Sequence, residues 1–480
     1  MSDTGSHEYC CSVVRIPELQ PIEGSDFLAK VEIFGTDIVV RKDQVKAGDL
    51  MFYAGNECQL EYSFLHVNNL FQTWELNANA DEVKKLMDSK GLNSQSPEVK
   101  AMHGYFNDRG RVRTLKLRGV QSFGYLFTKN EMVRYCPEVE NIDLETIVNE
   151  DFDTVNGQLF VKAYVPYIYH KSVHVSGNGR KRRVKRFDRI IPGQFMFHYD
   201  TKPLNKNIEV LNLQDKYVIT NKLHGTSVVF ANVKCKYPKR FSLVRLVRNL
   251  IAKIPALEGL RAEDYYIDYG WVYSSRSIVK NKYITRGAIE NTTDVWGYFA
   301  ALMQPIVPEG MTVYAEICGY VPGSLSMIQK GYDYGCSVGN SFVMPYRIVT
   351  EENGVRKEWS VREVHDWTTD KIATVDRARE WLRPITILYE GTFSDLYPEA
   401  KDSKDIFERL KSDKTHFGME QNEPMCTFNK VPREGIVLRI DGDPQPEAFK
   451  LKTVKFLGKE AEEMDKATVD MEMQQNDTYM

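Results

Sequence analysis

The sequence predicts an α+β fold in at least two domains, and three observations predict it. Short apolar strands broken by turn residues fill roughly the first 200 residues. Beyond them, strands alternate with longer helical segments. The 480-residue length also exceeds one ordinary domain of about 150 residues.

In the first part, "LAKVEIFGTDIVVRKDQVKAGDLMFYAG" (28–55) alternates apolar strands with turns at Gly35, Asp49 and Gly55. "ADEVKKLMDSKGL" (80–92) has helical spacing, with Val83, Leu86 and Met87 on one side and Gly91 past the end. "RVRTLKLRGVQSFGYLF" (111–127) returns to strands. Short strands, glycine turns and a helix suit a small barrel, for which an OB-like barrel is one topology. After "FHYDTKPLNKN" (197–207) the texture changes, and a domain boundary is expected near residue 200. "KYVIT" (216–220), "SVVFANV" (227–233), "MTVYAEI" (311–317), "EGIVLRI" (434–440) and "AFKLKTVKFL" (448–457) read as strands. "IATVDRAREWLRP" (372–384) and "KDIFERLKS" (404–412) read as helices. The expected division is 1–200, 201–457 and a charged tail, 458–480.

Bulk composition excludes several classes. Hydrophobic residues make 42% and aromatic residues 11%, enough for a packed core. The formal net charge is −3, so any nucleic-acid binding must come from local patches. No apolar run of about 18 residues occurs, so no membrane span is expected. The N-terminus lacks the basic start and apolar stretch of a secretory signal. Eight cysteines are scattered with no C-x-x-C pair, against a zinc knuckle or disulfide framework. A reducing cytoplasm is expected, that of a cell or of a virus's host. A monomer is expected.

Two stretches are strongly basic. Residues 171–186, "KSVHVSGNGRKRRVKR", hold seven basic residues and no acid around a Ser-Gly-Asn-Gly centre. They read as a solvated loop, a phosphate-contacting loop or a nuclear signal. Residues 234–253, "KCKYPKRFSLVRLVRNLIAK", hold seven more basic residues and again no acid. They read as a solvated face or an RNA-contacting surface.

The chemistry centres on "TNKLHGTSVVF" (220–230), where Lys222 sits at a strand edge ahead of His224, Gly225, Thr226 and Ser227. A K-x-x-G alone is weak, since roughly two matches arise by chance in a chain this long. Further elements follow in order. "VYAEICGY" ends an apolar strand with Glu316, and "REGIVLRI" opens another with Glu434 and Gly435. "FKLKTVKF" spaces Lys450 and Lys452 two apart, on one face of a strand with Leu451 on the other. Lysines so placed need anions nearby, and either a triphosphate or neighbouring acids supply them. A lysine amine attacks only once deprotonated, which burial and neighbouring cations favour. Glu316 and Glu434 can hold a divalent metal, directly or through water.

These elements resemble the motifs of the covalent nucleotidyltransferases: ATP-dependent DNA and RNA ligases and mRNA capping guanylyltransferases. "VYSSRS" (272–277), with Arg276, resembles the motif between the first lysine and the strand glutamate. "MPYRIV" (344–349), with Tyr346, resembles the aromatic motif that stacks on adenine. "KLHGTS" departs from the K-x-D-G of DNA ligases and capping enzymes and is similar to RNA ligases of the Deinococcus type. The resemblance covers about residues 25–457, weakly in the barrel region.

The resemblance implies an N-terminal OB-like domain, then a ligase-type nucleotidyltransferase domain of antiparallel sheets flanked by helices. It implies ATP with Mg²⁺ or Mn²⁺, and Lys222 as the nucleophile that carries AMP. His224, Gly225, Thr226, Arg276, Tyr346, Lys450 and Lys452 would bind the nucleotide, and Glu316 and Glu434 the metal and ribose. Lys450 and Lys452 would also act in catalysis. The implied partner is RNA with 3′-hydroxyl and 5′-phosphate ends, including nicked duplexes. The rival readings are a DNA ligase, a capping guanylyltransferase and a non-catalytic nucleic-acid-binding protein.

Overall fold

The structure, a computed structural model, describes residues 9–165, 186–198, 201–239, 263–285, 294–427, 430–440 and 447–465. The chain divides into two compact units. The first comprises Met1–Tyr167, Asp200–Val210 and Val454–Thr468, the second Ile168–Tyr199, Leu211–Thr453 and Val469–Met480. No described helix is long and apolar enough to cross a membrane. No disulfide joins any of the eight cysteines.

The first unit is built from short antiparallel strands. One sheet carries Asp151–Phe152, Cys11–Arg15, Leu50–Ala54 and Tyr125–Phe127 in that order. Another carries Gln20–Pro21, Leu28–Ile33 and Thr36–Arg41. Alternation decides which face is buried: Ala29, Val31 and Ile33 point inward while Leu28, Lys30 and Glu32 stay partly exposed. Phe52, Phe64, Phe71, Phe106, Phe127 and Phe160 form an aromatic core. The helix expected after residue 80 runs Ala80–Lys90, with Val83 buried and Gly91 closing it in the left-handed conformation.

The expected strand over 448–457 needs correction. The strand is Ala448–Lys452, and Val454–Asp465 is a helix. The ladder stops because buried Thr453 turns its groups away: its N–H donates to Glu434 O (2.9 Å) and its hydroxyl to Arg433 O (2.7 Å). The buried guanidinium of Arg111 then holds that helix in the first unit. It donates to both Glu57 carboxylate oxygens (2.8 Å each) and to Asp465 Oδ1 (2.7 Å).

The described residues of the second unit hold two large antiparallel sheets, besides a small pairing of Arg186–Asp188 with Tyr283–Thr285. The larger has five strands: Tyr265–Ser274, Thr226–Pro238, Met311–Gly319, Ser341–Glu352 and Val355–Glu358, in that order. Val228, Phe230, Val313, Ala315 and Ile317 on one of its faces pack with Trp296, Phe299 and Met303 of helix Val295–Met303 and Val364 of helix Val361–Thr374. The other sheet carries Ala448–Lys452, Gly435–Ile440, Lys216–Lys222 and Ile387–Thr392 in sequence across it. Antiparallel sheets flanked by helices are what the α+β expectation required. The helix at 372–384 is the exception. Residues up to Thr374 end a helix that starts at Val361, and only Ala378–Trp381 forms a further turn. Arg377, at φ 56°, breaks the two apart.

Candidate active site

Lys222 is the last residue of strand Lys216–Lys222, whose preceding five residues are buried. Cross-strand pairing places it opposite Gly435, which is in turn opposite Lys452. Two residues along, Thr220 faces Val437, which faces Lys450. Directly paired residues of an antiparallel ladder project to the same side. Lys222, Lys450 and Lys452 therefore share one face of the sheet. The Lys222 amine lies 2.8 Å from Glu434 Oε1. The lysine side chain is 23% exposed and the carboxylate 4%.

Two glycines make this arrangement sterically possible. A Cβ on Gly435 would meet Leu451 O at 2.0 Å, and its φ of +151° suits glycine. A Cβ on Gly225 would meet Ile317 O at 2.3 Å and Glu316 Cγ at 2.9 Å. The second closeness is used: the Gly225 N–H donates to Glu316 Oε1 (3.0 Å), while its carbonyl accepts from Gln329 Nε2 (2.8 Å). The glycine of the K-x-x-G thus sets the carboxylate one strand away. Gly225→Ala is expected to shift Glu316 by about an ångström and slow any chemistry at Lys222 by roughly 10²-fold. Single-turnover kinetics on the variant checks this.

The remaining expected residues fall into place unevenly. Ser227 pairs with Glu316 across the larger sheet, and the buried Thr226 hydroxyl has no hydrogen-bond partner among the described residues. Tyr346 lies on strand Ser341–Glu352, with its hydroxyl 2.7 Å from His198 Nδ1. Burial, with the Glu316 charge nearby, pushes that hydroxyl far above its usual range and keeps it neutral. His224 is tied by its backbone N–H to Tyr334 Oη (2.7 Å), and its ring meets Tyr332 edge-on at 5.0 Å. Arg276 is exposed, two residues past the strand that ends at Ser274, on a turn closed by Ser275 N–H to Ile278 O (3.0 Å). Residues 171–185 of the first basic stretch and 240–253 of the second lie outside the described residues.

One residue was overlooked in the sequence. Arg439 is opposite both Val218 and Ala448, on the same sheet face as Lys222. It is 7% exposed, and its Nη1 has no hydrogen-bond partner among the described residues. Burial, then the Arg347 charge, pushes its guanidinium down to about 10, with Glu358 and Tyr346 opposing. The signal was present: period two in "EGIVLRI" sets Gly435, Val437 and Arg439 on one face.

Among the described residues no three His, Cys, Asp or Glu side chains converge on a metal site. Glu434 keeps a buried Oε2 with no hydrogen-bond partner there, and the buried Cys318 thiol senses both Glu316 and Glu434. Two carboxylates with one unmatched oxygen suit a divalent ion that keeps water and phosphate oxygens in its shell.

No family model matches the chain, and no curated protein matches it significantly. Solved structures do. A mutant RNA ligase of Naegleria gruberi with ATP and manganese superposes with a TM-score of 0.51 at 16% identity, covering 94% of this chain and 98% of that one. A second mutant of that ligase with ATP and manganese gives 0.51 and 16%, covering 95% and 99%. A form with pyrophosphate gives 0.50 and 16%, covering 94% and 98%. The chain therefore shares the fold of these solved structures.

Proposed function

We propose that the chain is an ATP-dependent RNA ligase of the Deinococcus type that joins 3′-hydroxyl and 5′-phosphate ends. The observation that carries this reading is the Lys222 amine, 2.8 Å from the buried Glu434 carboxylate, on the sheet face it shares with Lys450 and Lys452. The fold of a ligase solved with ATP and manganese supports it.

In the first step, Lys222 Nζ gives up a proton and attacks the α-phosphorus of ATP. An N–P bond forms, the bond to the bridging oxygen breaks, and pyrophosphate leaves. Lys450 and Lys452 face the phosphates and stabilise the charge that builds on them. In the second step, a 5′-phosphate oxygen of RNA attacks the lysyl-AMP phosphorus, and Lys222 regains its amine. In the third, the 3′-hydroxyl attacks the adenylated 5′-phosphate and AMP leaves. Glu434 and Glu316 would hold Mg²⁺ or Mn²⁺, which supplies charge neutralisation at the phosphates. Tyr346 offers a ring for adenine, and His224, Thr226 and Arg276 contact ribose or phosphate.

ATP labelled at the α-phosphate tests the reading. Label from ATP but not GTP should survive denaturation of the protein, and the labelled protein should seal a nicked RNA duplex. Folded protein freed of bound AMP that takes label from neither nucleotide would refute it.

Arg439 gives a second test. Its guanidinium is depressed from its ordinary value to about 10, so between the two the unfolded chain binds more protons than the folded one. Stability therefore rises with pH through that window, and below about pH 10 the burial penalty is present in full. A bound nucleotide would satisfy the unmatched N–H. Arg439→Met is expected to leave the melting temperature unchanged or raise it, yet weaken ATP binding roughly tenfold or more. Thermal unfolding and the KM for ATP read the two effects separately.

A further inference from the structure

The two longest-paired strands of the larger sheet run on past its helix-covered core as a β-ribbon. Strand Thr226–Pro238 stays paired with Tyr265–Ser274 as far as Pro238 opposite Tyr265. The register sorts the ribbon's side chains. Lys234 is opposite Tyr269, Lys236 opposite Ile267, and Asn232 opposite Trp271. Cys235 is opposite Asp268 and Tyr237 opposite Tyr266 on the reverse face. That reverse face is partly covered, since Val233 and Cys235 are buried in a cluster that Ile190 and Tyr237 join.

The Lys234 face differs. It carries two lysines and the rings of Tyr265 and Tyr269, while Trp271 stacks on Phe230 and packs against the helix-covered core; the paired strand positions put no carboxylate on it. Within the paired strands the one acid, Asp268, is on the reverse face, and at the ribbon's end the Tyr265 hydroxyl donates to Glu263 Oε1 (3.4 Å). Lys234 and Ile267 are exposed, and Lys236, Tyr265, Tyr269 and Trp271 are half-buried. The Lys236 ammonium lies over the Tyr265 ring at 5.3 Å, so cation and aromatic face are already set side by side. Same-face residues repeat every two positions, about 6.8 Å apart along the strand. Two rings two such steps apart, with ammonium groups beside them, match a strand whose bases are unstacked and whose phosphates are accessible. A duplex keeps its bases stacked inside and offers such rings nothing.

We propose that the Lys234–Tyr269 face of this ribbon binds single-stranded RNA, bases on Tyr265 and Tyr269 and phosphates on Lys234 and Lys236. It would hold an unpaired strand leading to the ends that Lys222 serves. This rests on the ligase reading for its partner, and the test separates the two.

The full-length protein is titrated with a fluorescent oligouridylate over a range of salt, and each preparation is also labelled with α-labelled ATP. Lys234→Ala/Lys236→Ala should bind at least tenfold more weakly, with a log–log salt slope shallower by about 1.4, two phosphates at about 0.7 each. Tyr269→Ala should bind about tenfold more weakly with the slope unchanged. Both variants should take label normally. If the alanine forms also lose label, Lys234→Gln/Lys236→Gln and Tyr269→Leu, which keep side-chain bulk, take their place. Affinity and slope equal to wild type in the variants that label would overturn the proposal. So would tighter binding of a blunt RNA duplex that ignores Tyr269. Wild-type protein that binds the oligonucleotide through these residues but takes no label would instead defeat the ligase reading and leave the ribbon site standing.

Discussion

Lys222→Ala should abolish labelling of the chain by α-labelled ATP, a fall of at least about 10³-fold, because no other group takes over a covalent nucleophile's bond. Lys222→Arg should fail as completely. A guanidinium stays protonated and offers no lone pair, although it can still pair with the Glu434 carboxylate 2.8 Å from the native amine. That makes arginine the sharper variant, since it keeps a cation beside a buried anion where alanine leaves the anion exposed to a dry environment. Sealing of an RNA strand already carrying AMP on its 5′-phosphate should survive in both, within about tenfold of wild type. That substrate enters after the step Lys222 performs. Loss of labelling together with retained sealing of the adenylated strand assigns Lys222 to the two steps that precede sealing. Variants that label like wild type would reduce Lys222 to a strand-end lysine.

Much of this site was legible because its residues lie on strands, and a strand's period of two fixes which side chains share a face. Lys450 and Lys452 could be placed together from "FKLK" alone, and the ladder through Gly435 and Val437 confirms their common face with Lys222. Glu434 could be read as a carboxylate at the start of a strand, whereas Glu316, expected to end its strand, lies inside Met311–Gly319 with partners on both sides. What brings Glu316 to Gly225 was not legible. It depends on Gly225 pressing against Ile317 and Glu316, a contact between segments some 90 residues apart. The tie from His224 to Tyr334 spans 110 positions and leaves no local trace. The strand-to-helix switch at Thr453 was hidden because "VKFL" suits either state over so short a run. The helix at Val361–Thr374 was misplaced downstream although Ser360 and Glu363 form a capping box, with Ser360 N–H on Glu363 Oε2 (2.8 Å) and Glu363 N–H on Ser360 Oγ (3.1 Å). Its polar stretch at Thr368–Lys371 masked the periodicity that Val361, Val364 and Thr368 carry.

Glu434→Gln is expected to be nearly as damaging as loss of the nucleophile, and for a different reason. Glutamine keeps the size of the side chain and one oxygen able to accept from Lys222 Nζ. What it removes is charge, at a buried position where Oε1 meets the lysine and Oε2 has no hydrogen-bond partner among the described residues. A buried carboxylate oxygen left in that state costs free energy unless something completes it. A divalent ion arriving with the triphosphate would do so, and a neutral amide would not serve that ion. Labelling by ATP should fall by about 10²–10³-fold, with no rescue at high Mn²⁺. The melting temperature should hardly move, because the lost ion pair is offset by the lost desolvation of a carboxylate. Glu434→Asp keeps the charge but withdraws it by one methylene, and should recover part of the activity. Mn²⁺ titration followed by electron paramagnetic resonance, in the presence of ATP, gives a readout independent of turnover. Weaker manganese binding in Glu434→Gln than in wild type would place the metal at this carboxylate. Equal manganese binding with lost labelling would mean that Glu434 acts only by holding the Lys222 amine, and the metal would then have to be sought at Glu316.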